Sequence, residues 1–216
     1  MPMGDYYNIP WIISLVARAN PKSILDIGVG DGTYGFLIRQ YLDIAAERWD
    51  KNEWIVKIDG IEVFENYRNP IWDYFYNQVQ VCDVRSIVND LPRYDVILMA
   101  DVIEHFSKAD GKSLLNNLMG KGKLVIISTP NKPYPQSMIL ANSFEEHLSS
   151  WSKSDFDGFH ALSIKLKDCN VYAISSDEKT LESLKVNKLP RLTLRKNNSL
   201  TKLTNRVLRK VKSFFR

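Results

Sequence analysis

The sequence predicts an α/β fold, a parallel sheet carrying helices on both faces. Three observations predict it. Short apolar runs alternate with helix-like segments between residues 23 and 128. The first of these stretches, SILDIGVGDGTYGFL at residues 23–37, breaks after Asp26-Ile27 into glycines at alternate positions, Gly28, Gly30 and Gly32, then resumes with apolar periodicity. That is the pattern of a buried strand, a tight turn and a helix start. Finally, four candidate strands end in acidic residues: Asp26, Glu62, Asp83 and Asp101.

Taken in order, residues 9–19 (IPWIISLVARA) read as an amphipathic helix, stopped at Asn20-Pro21 because proline disfavours helix in the residue before it. The strand at 23–27, the glycine turn and a helix reaching about residue 46 follow. A second strand is expected at 54–61, before Glu62. Residues 66–77 are aromatic-rich and helical after Pro70. A third strand covers 79–82, and a fourth, YDVILMA, covers 94–100. A helix at 108–119 leads to a fifth strand at 123–128. Two β-like runs, 161–166 and 171–175, flank Lys167-Asp168-Cys169-Asn170 and read as a hairpin, an antiparallel edge on the parallel sheet.

Length and composition fit one domain plus an appendage: 216 residues, 44% hydrophobic and 25% charged, with a body at 1–185 and a tail at 186–216. Cys82 and Cys169 lie far apart with no Cys or His neighbours, so neither a disulfide framework nor a metal site is expected. No run approaches the ~20 apolar residues of a membrane span. The start, MPMGDYYNIP, lacks the basic and apolar regions of a signal peptide, which makes the cytoplasm the expected compartment. Net charge is +4, yet residues 191–216 hold nine Lys/Arg and no acid, which leaves −5 for the rest. The basicity belongs to the tail.

The glycine turn places a ligand. Glycine serves where φ must be positive or a ligand approaches the backbone closely, and the helix N-terminus beyond offers free N–H groups. Dinucleotide-binding turns read G-x-G-x-x-G; here the order is D-x-G-x-G-x-G. An acidic strand end repels a pyrophosphate and suits a ligand with an ammonium group. The stretch resembles motif I of the class I S-adenosylmethionine-dependent methyltransferases, and DVIEHF at residues 101–106 resembles the D-V-x-E-H segment common after their fourth strand. This resemblance implies a doubly wound, three-layer α/β/α domain with a mostly parallel seven-stranded sheet. It also implies cofactor roles. Asp26, with the turn at Gly28, Gly30 and Gly32, would face the methionine end, beside Asp101. Glu62 would accept both ribose hydroxyls, and Asp83 with the Val84 backbone would meet adenine. The 36-residue separation of Asp26 and Glu62 exceeds the ~20 usual in nucleotide-binding folds, with the excess at residues 43–52.

The acceptor side is expected in residues 131–156, where Asn142, Glu145, His147 and Trp151 are pocket candidates. His147 is the candidate general base because histidine titrates near neutral pH; His105 is a second catalytic candidate, and His160 reads as structural. No Asn-Pro-Pro-Tyr follows the fourth strand, which favours a hydroxyl or carboxylate acceptor on a small molecule or glycan. Residues 199–216 place their apolar side chains on one helical face and bases on the other, as in a helix lying on an anionic membrane, near a lipid-linked acceptor. Packing on protein is the alternative, and nucleic acid fits less well because the bases lack interleaved stacking aromatics. Rival functions are an RNA-modifying methyltransferase and a non-catalytic S-adenosylmethionine-binding protein. A nicotinamide-dependent reductase would need Tyr-x-x-x-Lys, and no tyrosine has a lysine four positions on.

Overall fold

A computed structural model describes residues 6–133, 135–138 and 141–184. The tail, including the helix expected at 199–216, lies outside the described residues. Seven strands form one sheet: β1 (Ser23–Ile27), β2 (Lys57–Glu62), β3 (Gln78–Val81), β4 (Tyr94–Ala100), β5 (Gly122–Pro130), β6 (His160–Lys165) and β7 (Cys169–Ser175). Their order is β3-β2-β1-β4-β5-β7-β6. The first five run parallel, and β7 inserts antiparallel between β5 and β6. Strand order reverses beside β1, where Asp26 pairs with Gly60 of β2 and Leu98 of β4. In an open α/β sheet that reversal opens a crevice at the strands' carboxyl ends.

Alternate residues of each central strand feed opposite faces, as the two-residue strand period requires. Ile24, Val96, Leu98, Leu124 and Ile126 join Ile12, Val16 and Ile38 of helices α1 (Ile9–Ala19) and α2 (Thr33–Leu42). Leu25, Ile97, Met99, Val125 and Ile127 join Leu114, Leu115 and Leu118 of α5 (Lys108–Met119) on the other side. Short helices α3 (Pro70–Phe75) and α6 (Glu178–Glu182) belong with the first layer, α4 (Val84–Ile87) with the second. The sheet therefore lies between two apolar cores, in three layers.

Strand β7 starts at Cys169, inside the expected hairpin turn, and two other expected boundaries move by three or four residues. Helix α2 stops at Leu42 instead of continuing to about residue 46, and β2 starts at Lys57 instead of residue 54. One buried ion network explains both. Asp43 accepts from Arg39 at 2.7 Å and Arg48 at 2.8 Å, and its Oδ1 also accepts from the Ile55 N–H at 3.1 Å. Arg39 bonds the Val56 carbonyl and lies over the Trp54 ring. With both partners buried, the chain must wrap around them, and residues 44–53 do so in two 3-10 turns, Ile44–Ala46 and Lys51–Glu53.

Candidate active site

The turn after β1 is built by positive φ at Gly28 (79°), Gly30 (54°) and Gly32 (87°). Two of these glycines are also sterically obligatory. A Cβ on Gly28 would lie 2.4 Å from Val102 Cγ2, and one on Gly32 would lie 2.6 Å from Ile71 Cγ2. At Gly30 an added Cβ meets no atom within 4 Å, and Gly30 lies on the cleft wall. The turn thus leaves its backbone bare where a ligand would approach. Gly30 N–H donates to Glu62 Oε2 at 2.9 Å while Phe64 N–H donates to Oε1 at 2.9 Å. These donors orient the buried Glu62 carboxylate and leave each oxygen a further lone pair. Burial raises its pKa, with the backbone donors acting in the opposite direction.

A cleft of about 1000 Å³ opens over the carboxyl ends of the central strands. Gly28, Gly30, Glu62, Asp83, Val84 and Asp101 all line it, brought together from four chain segments. Asp83 caps α4 by accepting the Arg85 N–H at 2.9 Å and pairs with the Arg85 guanidinium at 2.6 Å. That pairing holds its carboxyl below the usual range.

Asp26 and Gly32 are the exceptions. Asp26 is 1% exposed and does not line the cleft; its Oδ2 accepts from the Tyr76 hydroxyl at 2.6 Å beneath the turn. Burial pushes its pKa up to about 7. The expectation that Asp26 faces the cofactor's ammonium is corrected: its side chain serves the underside of the glycine turn. Gly32 begins α2 and packs against Ile71 rather than facing the cleft.

Asp101 sits at the tip of β4 with φ 54°, a left-handed conformation that aspartate tolerates better than most residues. Asn8, fully buried, holds it there. Asn8 Nδ2 donates to Asp101 Oδ2 and to Ser128 Oγ, each at 3.0 Å, and Asn8 Oδ1 accepts from Tyr34 at 2.8 Å. Sequence reasoning gave Asn8 no role, and nothing local marks it, since its partners lie 26 to 120 positions away.

Beyond Asp101 the cleft is closed by the segment after β5. Leu148 and Ser149 N–H groups both donate to the Glu104 carbonyl, at 2.9 and 3.1 Å. These bonds bring His147 over His105, with ring centroids 4.9 Å apart. Both imidazoles line the cleft. Burial lowers the His105 pKa and raises that of Glu104 well above the ordinary carboxylate value, with Asp101 adding to the latter. Asn142 and Glu145 also line the cleft, and Glu145 accepts from the buried Tyr67 hydroxyl at 2.8 Å. Burial lifts the Tyr67 hydroxyl to about 12, so it stays a donor. Trp151 is not in the cleft: it packs on Phe156 and over Gly111 in the second core. His160 lies on exposed β6, away from the site.

A family model described as a methyltransferase domain matches residues 5–161. No curated protein matches the chain. Among solved structures, an O-methyltransferase family protein from Burkholderia thailandensis superposes with TM-score 0.58 at 11% identity, over 80% of this chain and 57% of that one. The chain thus spans little more than half of that protein. Magnesium protoporphyrin IX methyltransferase from Synechocystis, with S-adenosylmethionine bound, gives TM-score 0.51 at 12% identity, over 79% of this chain and 77% of that one. The N-terminal domain of EvdMO1, crystallised with S-adenosylhomocysteine and D-fucose, gives TM-score 0.53 at 14% identity, over 79% and 83%. At these identities the likeness bears on the fold.

Proposed function

Because the chain belongs to the methyltransferase-domain family, matched over residues 5–161, we propose that it transfers a methyl group from S-adenosylmethionine to a hydroxyl oxygen of a small-molecule or glycan acceptor. The observation that carries this reading is one cleft lined by a first group, Gly28, Gly30, Glu62, Asp83, Val84 and Asp101, and by a second, His105 and His147. The first group fits the cofactor: a bare turn for its methionine end, an oriented carboxylate for its ribose, and Asp83 with the Val84 backbone for adenine. When bound, the cofactor supplies an electrophilic methyl on a sulfonium.

The chain's own residues then align and deprotonate. Holding acceptor and methyl in line is worth about 7–11 kcal/mol in well-oriented systems. The acceptor end is rich in hydrogen-bonding groups, Tyr67, Gln136, Asn142 and Glu145, which suits a hydroxylated ligand. His147 and His105 stand where an imidazole lone pair takes the hydroxyl proton, a contribution of about 10²–10⁴-fold. Solved relatives include one crystallised with a sugar, which supports this acceptor class by likeness alone. No helix among the described residues is long and apolar enough to cross a membrane. The amphipathic pattern of residues 199–216 supports docking of the enzyme on an anionic membrane from the cytoplasmic side.

Calorimetry tests the cofactor half. Glu62→Gln puts an amide where two backbone N–H groups and the ribose need acceptors, and the dissociation constant for S-adenosylmethionine should rise at least about tenfold. Unchanged affinity removes Glu62 from the site. Labelled methyl transfer into cell extract tests the acceptor half. The product methyl should resist alkali, as an ether does; an alkali-labile methyl would mean a carboxylate acceptor instead.

A further inference from the structure

Among the described residues, Glu104 is a buried acid with both side-chain oxygens unmet. It is 1% exposed, lines the cleft, and neither carboxylate oxygen has a hydrogen-bond partner. The Thr129 hydroxyl and the N–H of Glu104 itself stand beside the carboxyl and act to lower its pKa, but no hydrogen bond within 3.5 Å reaches either oxygen or the Thr129 hydroxyl. A buried carboxylate without donors is among the most costly arrangements a fold contains unless it holds a proton or a cation meets it. Asp101 and Glu145 add negative potential from two further sides. No Lys or Arg forms an ion pair with Glu104 among the described residues.

What does face it is a pair of imidazoles. One ligand atom from each of Glu104, His105 and His147 lies within 4.8 Å of the others. His105 Nδ1 lies 3.1 Å from the Glu146 carbonyl, which can only accept. The proton therefore sits on Nδ1 and the lone pair on Nε2. Metal-bound histidines are commonly fixed in this way, by donating the other ring N–H to a carbonyl. The backbone bonds from Leu148 and Ser149 to the Glu104 carbonyl hold the distant ligand in register with the other two.

We propose that Glu104, His105 and His147 bind one divalent first-row transition-metal ion at the acceptor end of the cleft. Two neutral imidazoles and one carboxylate suit Zn²⁺, Mn²⁺ or Fe²⁺ better than the all-oxygen preference of Mg²⁺ or Ca²⁺. Bonds of about 2.0–2.2 Å would draw the three atoms to about 3–3.6 Å apart, a closure of up to about 1–2 Å that side-chain rotation supplies. Three protein ligands leave positions open to the cleft, as catalytic sites do. An acceptor hydroxyl bound there becomes more acidic, its proton passing to bulk water, and its oxygen is held for attack. His147 then acts as ligand instead of base. This role rests on the methyl-transfer reading; the binding of the ion does not.

The test is therefore made on metal binding by the full-length chain, stripped with chelator and free of cofactor. Titration with Mn²⁺ and with Zn²⁺, each alone, should give close to one equivalent per chain. Co²⁺ should develop visible absorption from nitrogen and oxygen ligation. Glu104→Gln and His147→Asn should each weaken binding at least tenfold, while His160→Ala leaves it unchanged. Glu104→Gln keeps the shape of the side chain and removes a buried acid that has no partner, so its metal-free melting temperature should not fall; the half-exposed His147→Asn gives a second folded variant. No stoichiometric binding, or binding equal in both variants and the parent, overturns the site. Loss of methyl transfer with metal binding intact would instead count against the function proposed above.

Discussion

Tyr76 donates its phenolic hydrogen to Asp26 at 2.6 Å, across 50 positions of chain and with both groups buried. The same hydroxyl accepts the Gly35 N–H at 3.0 Å. One side chain thus ties the end of β1 to the first turn of α2, on the underside of the loop whose upper side walls the cleft. The turn that meets the ligand is held from below by a carboxylate that does not.

That carboxylate makes stability depend on pH. Burial raises its folded pKa from 3.8 to about 7. Between those values the folded state retains a proton that the unfolded chain has lost, so stability falls as pH rises through this window. The slope reaches at most about 1.4 kcal/mol per pH unit and vanishes above about pH 7. Asp26→Asn keeps an acceptor for Tyr76 and cannot ionise. Its melting temperature relative to the parent should climb from pH 4 to 7, then level off. A difference that stays flat across that range would show that Asp26 does not titrate there.

Gly28 and Gly30 separate folding from binding. Gly28→Ala places a methyl 2.4 Å from Val102 Cγ2, on a positive φ that already disfavours it. It should lower stability by about 1–3 kcal/mol, and Val102→Ala in the same chain should recover part of the loss. Gly30→Ala meets no protein atom within 4 Å and should lose only about 1–2 kcal/mol to backbone strain. Its S-adenosylmethionine affinity, measured calorimetrically, should nevertheless fall by tenfold or more. Equal affinity in Gly30→Ala and the parent would show that no ligand approaches this wall.

Residues 199–216 alternate apolar and basic side chains at helical spacing. Vesicles containing anionic lipid should float the full-length chain at low salt, and removal of residues 199–216 should abolish flotation. Raising salt should weaken it, since each Lys or Arg near the surface is worth about 1 kcal/mol within a Debye length. Equal flotation of the truncated chain would end the membrane reading.

Some of this architecture is written in local chemistry. Strand β4 matches YDVILMA residue for residue, because a continuous apolar run bounded by polar residues fits a strand covered on both faces. Helix α5 starts where expected, and there Ser107 Oγ accepts the Asp110 N–H at 3.1 Å as its cap. Helix α2 was expected too long, since the ion network at Asp43 joins groups that no helical period connects.

The sequence by itself determined the strand, glycine turn and helix start, and placed Glu62, Asp83 and Asp101 at strand tips. Both follow from backbone conformation and the periodicity of apolar residues, which neighbours in the chain control. Only the tertiary structure decided that Glu62 faces the cleft while Asp26 lies beneath it, and that Glu104, His105 and His147 meet. The physical reason is that a strand's side chains alternate between faces, so one residue of register reverses which way a carboxylate points. Groups separated by 42 positions come together only when the backbone between them has packed.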